Sequence, residues 1–199
     1  MSINKFSEKT SIEKLIADIK KKFPVEVALS KNIHIAYANG DDWSVQNIVS
    51  ILNYKNWNDL SFKDFYDCGA TELVGYISPE ALLYYLPGLL KCCATELEAG
   101  RFWRLHEVSV LMLLPPTPDY KEVWSYFGDG WFDDWGTPHF MKSTEKLIEK
   151  SRYLHNSLSL EQRACVACYI EIVQSHGVVN ADAEFLDLLK KFSDFWRDE

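Results

Sequence analysis

The chain has 199 residues, 47% hydrophobic and 14% aromatic, which is ample material for a buried core. Its formal charge of −8 is spread over both halves, with 10 basic against 13 acidic residues up to position 100 and 11 against 16 beyond it. Lys20, Lys21 and Lys22 make the only compact basic cluster, so the balance excludes a nucleic-acid-binding module and favours a basic protein partner.

The opening MSINKFSEKTSIEKLIADIK has neither the apolar core nor the cleavage site of a signal peptide. From Ser11, the residues Ile12, Leu15, Ile16, Ile19 and Phe23 follow helical spacing, and Pro24 stops the pattern. Between Val25 and Tyr37, VEVALSKNIHIAY alternates in two short runs, which fits a small β-hairpin or a fragment of helix. After a turn at Asn39, Gly40 and Asp41, the stripe Val45, Ile48, Val49 and Leu52 predicts a second helix ending near Tyr54. Trp57 to Leu60 then connects to a short segment carrying Phe62, Phe65 and Tyr66.

The most strongly specified start is in YISPEALLYYLPGLL, residues 76–90. Ser78 is a cap, Pro79 suits the first helical position, Glu80 meets the positive helix end, and Ile77 can staple onto Leu82. Beyond that start the side chains up to Cys93 are apolar on nearly all sides, so this helix should be central and buried. Pro87 deletes an amide donor and predicts a kink, while Gly88 permits either a bend or the close approach of a neighbour. Its longest apolar run, Ala81 to Leu90, contains Pro87 and is short of the roughly 20 residues that span a bilayer.

Gly100 offers the next stop. Val108, Val110, Leu111 and Leu114 then mark a short buried helical element closed by Pro115 and Pro116. Regular periodicity is lost from Pro116 to Phe140 and returns with Leu147. Ser159 and Gln162 form a capping box, S-x-x-Q, for a helix running to His176 and Gly177. Asn180 caps a last helix with Phe185, Leu188, Leu189, Phe192 and Trp196 on one face. No fixed-period repeat or linker divides the chain. The expected fold is mainly α: one compact multi-helix domain over residues 1–199 with a kinked central helix and room for a small hairpin near the N-terminus.

Chemistry is harder to find. Cys165 and Cys168 form a C-x-x-C pair, but inside a capped helix and without a second pair, so core thiols are the plainer reading. Five cysteines, an odd number, fit a reducing compartment, and a cytoplasmic location is expected. Cys93, Cys168 and His176 are the one set that can be drawn together around a metal, and neither a metal nor a cofactor is expected. The five histidines are scattered, and the Gly128–Gly130 triplet GDG is not a nucleotide fingerprint. His106 with Glu107, or His139 with Asp133 and Asp134, can be drawn as acid–base pairs only on paper. More informative is SYFGDGWFDDWGTPHF, residues 125–140, where Asp129, Asp133 and Asp134 alternate with Trp131, Phe132 and Trp135. Aromatic area flanked by charge is what interfaces use as anchors, and Asp129, Trp131, Asp133, Asp134 and Trp135 are the candidate partner-binding residues. The plain alternative tucks those rings into the core and leaves the aspartates in turns or facing water.

Taken together, NYKNWNDLS, YISPEALLYYLPGLL and LSLEQRACVACYIEIV resemble a bacterial helical domain family of unknown function, whose members carry a phrase close to fLspEAlrYYLPayL. The match falls on Ser78, Pro79, Glu80, Ala81, Tyr84, Tyr85, Leu86 and Pro87, and departs at Leu83, where a basic residue is common. The resemblance covers roughly residues 55–175 and implies a compact helical protein with no catalytic residues to carry over. Small acidic proteins of this type include immunity proteins that neutralise a toxin. The expectation is therefore a protein-binding module that covers a basic toxin domain. Its rivals are an enzyme assembled from His106, Glu107, His139 and Asp134, or a structural adaptor.

Overall fold

The computed structural model describes residues 3–25, 29–37, 43–101, 104–113, 137–176 and 183–197, and their regular structure is helical. In chain order the helices are α1 (Ile3–Lys22), α2 (Trp43–Leu52), α3 (Phe62–Asp67), α4 (Ala70–Tyr76), α5 (Pro79–Glu98), α6 (Arg104–Leu111), α7 (Thr137–Ser157), α8 (Leu160–Ser175) and α9 (Ala183–Arg197). A single 3-10 turn, Trp57–Asp59, lies between α2 and α3. One contiguous buried cluster joins Ile12 on α1 to Trp196 on α9, and α5 packs against α1, α3, α6, α7, α8 and the 3-10 turn. No helix among the described residues is long and apolar enough to cross a membrane.

The helix ends are set by local chemistry. Ser78 Oγ accepts from the Ala81 amide at 3.1 Å and donates to the His34 carbonyl at 2.6 Å, so one hydroxyl caps α5 and ties down the preceding loop. Ser61 with Asp64, and Ser159 with Gln162, close reciprocal capping boxes on α3 and α8. Gln162 does more: its Nε2 donates to the Lys22 carbonyl at 3.1 Å and satisfies an open group at the end of α1. Asn53 and Tyr54 end α2 with φ of +37° and +55°, a left-handed exit that Asn tolerates well.

Two expectations change. The alternation at residues 29–37 builds no strand. Ser30 and Ile33 close a turn, and Ala36 makes an isolated antiparallel bridge to Ile77, flanked by Tyr37 N to Tyr76 O (2.8 Å) and Ser78 N to Ile35 O (3.0 Å). The buried Leu29, Ile35 and Ala36 supply the apolar signal, but the backbone around the bridge pairs with residues 76–78 at the junction of α4 and α5 instead of with a neighbouring strand. Second, helix runs further than the periodicity suggests: α1 begins at Ile3, α7 at Thr137, and α4 is a helix the pattern did not announce. The Pro87 at which a kink is expected lies inside α5, which is continuous to Glu98, although the Leu83 carbonyl has no amide to receive there.

Gly88 resolves to the close-approach alternative. A Cβ placed on it would lie 2.5 Å from the Trp57 carbonyl oxygen, so the 3-10 turn is seated directly on α5 at that point. Neighbouring groups fix the same contact. Lys91 Nζ donates to the Asn58 carbonyl at 2.7 Å, and the Cys92 thiol donates to the Leu60 carbonyl at 3.4 Å. Trp57 is 1% exposed and donates from Nε1 to the Pro24 carbonyl at 3.2 Å, which carries the anchor across to the end of α1.

Candidate functional site: a groove along the central helix

The sequence marks α5 as buried on every side, and the structure corrects this on one face. Glu80, Leu83, Tyr84 and Pro87, spaced i, i+3, i+4 and i+7, line an open groove of about 400 Å3. Phe23 and Pro24 from the end of α1 and Leu29 and Ile33 from the pinned loop form one side. Tyr153, Ser157 and Leu158 at the end of α7 form another, and Gln162 reaches in from α8. Trp57 is part of the lining, held by the Gly88 contact. Four separate stretches of chain therefore meet over the motif that begins α5.

The walls are mostly hydrocarbon and aromatic ring, with few polar groups. Glu80 is exposed and is the one charged side chain among the described lining residues, and it has no ion-pair partner among the described residues. The Tyr84 hydroxyl is buried and faces the backbone of Leu29 and Trp57 without closing a hydrogen bond. Burial holds that phenol above its ordinary pKa, so it stays protonated and able to donate. Its ring packs edge-on against Tyr85 at 4.9 Å between centroids. Such a surface offers shape, apolar area and one negative charge.

The groups the sequence offers for chemistry lie elsewhere, in the interior. His106 is fully buried, and its Nε2 sits 3.0 Å from the Cys93 carbonyl, which can only accept, so the ring donates there. Ser109 Oγ donates to the His106 carbonyl at 2.7 Å, which leaves the Tyr169 hydroxyl to donate to Ser109 at 2.7 Å. The Cys93 thiol meets both hydroxyls. This chain ties α5, α6 and α8 together in the buried interior. Burial pushes the Cys93 thiol and the Tyr169 phenol up, so neither supplies an anion at neutral pH.

The other thiols follow the same logic. Burial raises Cys92 and Cys165 to about 11 and Cys68 to about 12, and lifts Cys168 as well. Of the C-x-x-C pair in α8, Cys165 is buried in the core and Cys168 is half-buried against it. His176 Nε2 caps the Leu97 carbonyl at 2.9 Å, so it joins α8 to α5 instead of meeting a metal. Among the described residues no three His, Cys, Asp or Glu side chains come together as metal ligands. His155 accepts from Arg163 Nη1 at 2.8 Å and lies against Phe195 and Trp196.

Asp129, Trp131, Asp133, Asp134 and Trp135 lie outside the described residues, as do Asn180 and the side chains of Glu107 and His139. Of the groups proposed for an assembled acid–base site, His106 alone has a described side chain, and it is sealed from solvent. The groove was legible only as a spacing, since Glu80, Leu83, Tyr84 and Pro87 share a helix face that reads as core until its neighbours are placed. Comparison with protein-family models, with characterised proteins and with solved structures finds no match for this chain.

Proposed function

We propose that this chain is a protein-binding module of the immunity type, acting in the cytoplasm, that captures a basic toxin domain through the acidic, aromatic-rich stretch from Asp129 to Trp135. The observation that carries it is the net charge of −8 shared between both halves of the chain, which favours a basic partner and steers its encounter. The interior supports it as well, because His106, Cys93 and Tyr169 are spent on joining helices. The same reading places the chain with the bacterial helical family that its Tyr76–Leu90 phrase resembles.

The test is capture from the protein's own host with the tagged chain, washed at low and high salt, beside a D133K/D134K variant. One stoichiometric basic partner is expected, retained at low salt, released at high salt and lost by the variant. Equal capture by the variant removes that stretch from the interface. Absence of any partner from cells that express basic candidates sinks the module reading.

A further inference from the structure

The groove on α5 is a defined concave surface lined by described residues, and its chemistry is one-sided. From the size of the groove, the identity of its walls and the single carboxylate that Glu80 places on it, we infer that it is a binding site for a small amphiphilic organic cation: a protonated amine carrying an apolar or aromatic body. The volume of about 400 Å3 falls in the range of small-molecule sites. Leu83, Pro87 and Leu158 offer apolar contact for the body, and the rings of Phe23, Tyr84 and Tyr153 favour a cation near their faces.

Charge decides between amine and acid. The lining contains one carboxylate and, among the described residues, no lysine, arginine or histidine, so an anion would find no cation to offset Glu80 while an ammonium finds a partner in it. Glu80 is kept available by its position: it stands in the first turn of α5, where Ser78 already satisfies the Ala81 amide, and no basic side chain of the described residues pairs with it. Tyr84 adds the area of its ring to the wall, while its hydroxyl is buried toward the backbone of Leu29 and Trp57. The inference draws nothing from residues 129–135 and stands or falls apart from the proposed toxin partner.

The test uses the full chain and three probes of one shape: 4-phenylbutylammonium, 4-phenylbutan-1-ol and 4-phenylbutyrate. Affinity is read by calorimetry, and the amide shifts of Leu83 and Tyr84 report location. The ammonium should bind tightest, the alcohol next and the carboxylate weakest. Glu80→Gln should weaken the ammonium roughly fivefold, to the level of the alcohol, as expected for one partly exposed ion pair. Ser157→Trp, at an exposed helix end, should fill the groove and weaken all three probes while the protein stays folded. Equal affinity for the three probes, an ammonium preference that survives Glu80→Gln, or shifts confined to residues away from the groove would each overturn the assignment.

Discussion

At its N-terminal end α5 shows Glu80, Leu83 and Tyr84 to an open groove, whereas toward its C-terminal end Cys92, Cys93 and Ala94 are closed off from solvent. The closed end holds the more reactive inventory, thiol, imidazole and phenol, and uses it for hydrogen bonds between helices. The open end has plainer side chains, but they are within reach. The difference teaches that an inventory of reactive residue types says little until burial is known, because a sealed thiol or imidazole contributes hydrogen bonds and packing only.

Substitutions at the two ends sharpen that contrast. The largest effect is expected from Trp57→Ala, which empties the buried wall that the groove shares with the α5 contact; urea unfolding should show a loss of about 3–5 kcal/mol. A loss near zero would mean that the 3-10 turn is not a packing wedge. Gly88→Ala follows. Helix propensity favours alanine by about 1 kcal/mol, but the new methyl meets a backbone carbonyl at 2.5 Å, and a net loss of roughly 1–2 kcal/mol is expected. A stabilised variant would disprove the close approach.

At the sealed end, Tyr169→Phe removes the donor to Ser109 and a contact of the Cys93 thiol, for about 1–1.5 kcal/mol by thermal or urea melts. In the same protein Cys93 should resist alkylation under native conditions and react only on unfolding, which mass spectrometry of the labelled peptides would read. Ser78→Ala costs about 1 kcal/mol through the lost cap, and exchange of the Ala81 amide should quicken. Glu80→Gln is the smallest, within about 0.5 kcal/mol of wild type, because Glu80 is exposed and unpaired. If it instead destabilised the protein markedly, Glu80 would belong to the fold and its place in a ligand site would need revision.

The sequence was most legible where structure depends on residues a turn apart. Ser159 with Gln162 announces α8, Ser78 with Pro79 announces α5, and the buried Leu189, Phe192 and Trp196 lie on the face their spacing predicts for α9. It was least legible for short or weakly patterned elements. The helix α4, entered from Gly69 at φ +81°, is seven residues long and too short for a period to emerge. The alternation around Ile35 and Ala36 looks like strand because an apolar–polar pattern has the same signature whatever the backbone pairs with.

By itself, then, the sequence determined a mainly helical chain with defined starts at α5 and α8, because caps and apolar stripes act through contacts within a few residues. It also determined the acidic character, which no folding changes. Only the tertiary structure decided that Gly88 serves a crossing with Trp57, that His106 and Cys93 are interior hydrogen-bonding groups, and that one face of α5 stays open. Each of those outcomes depends on segments far apart in the chain, Pro24, Leu29, Trp57 and Leu158 among them, whose approach is set by the packing of the whole core.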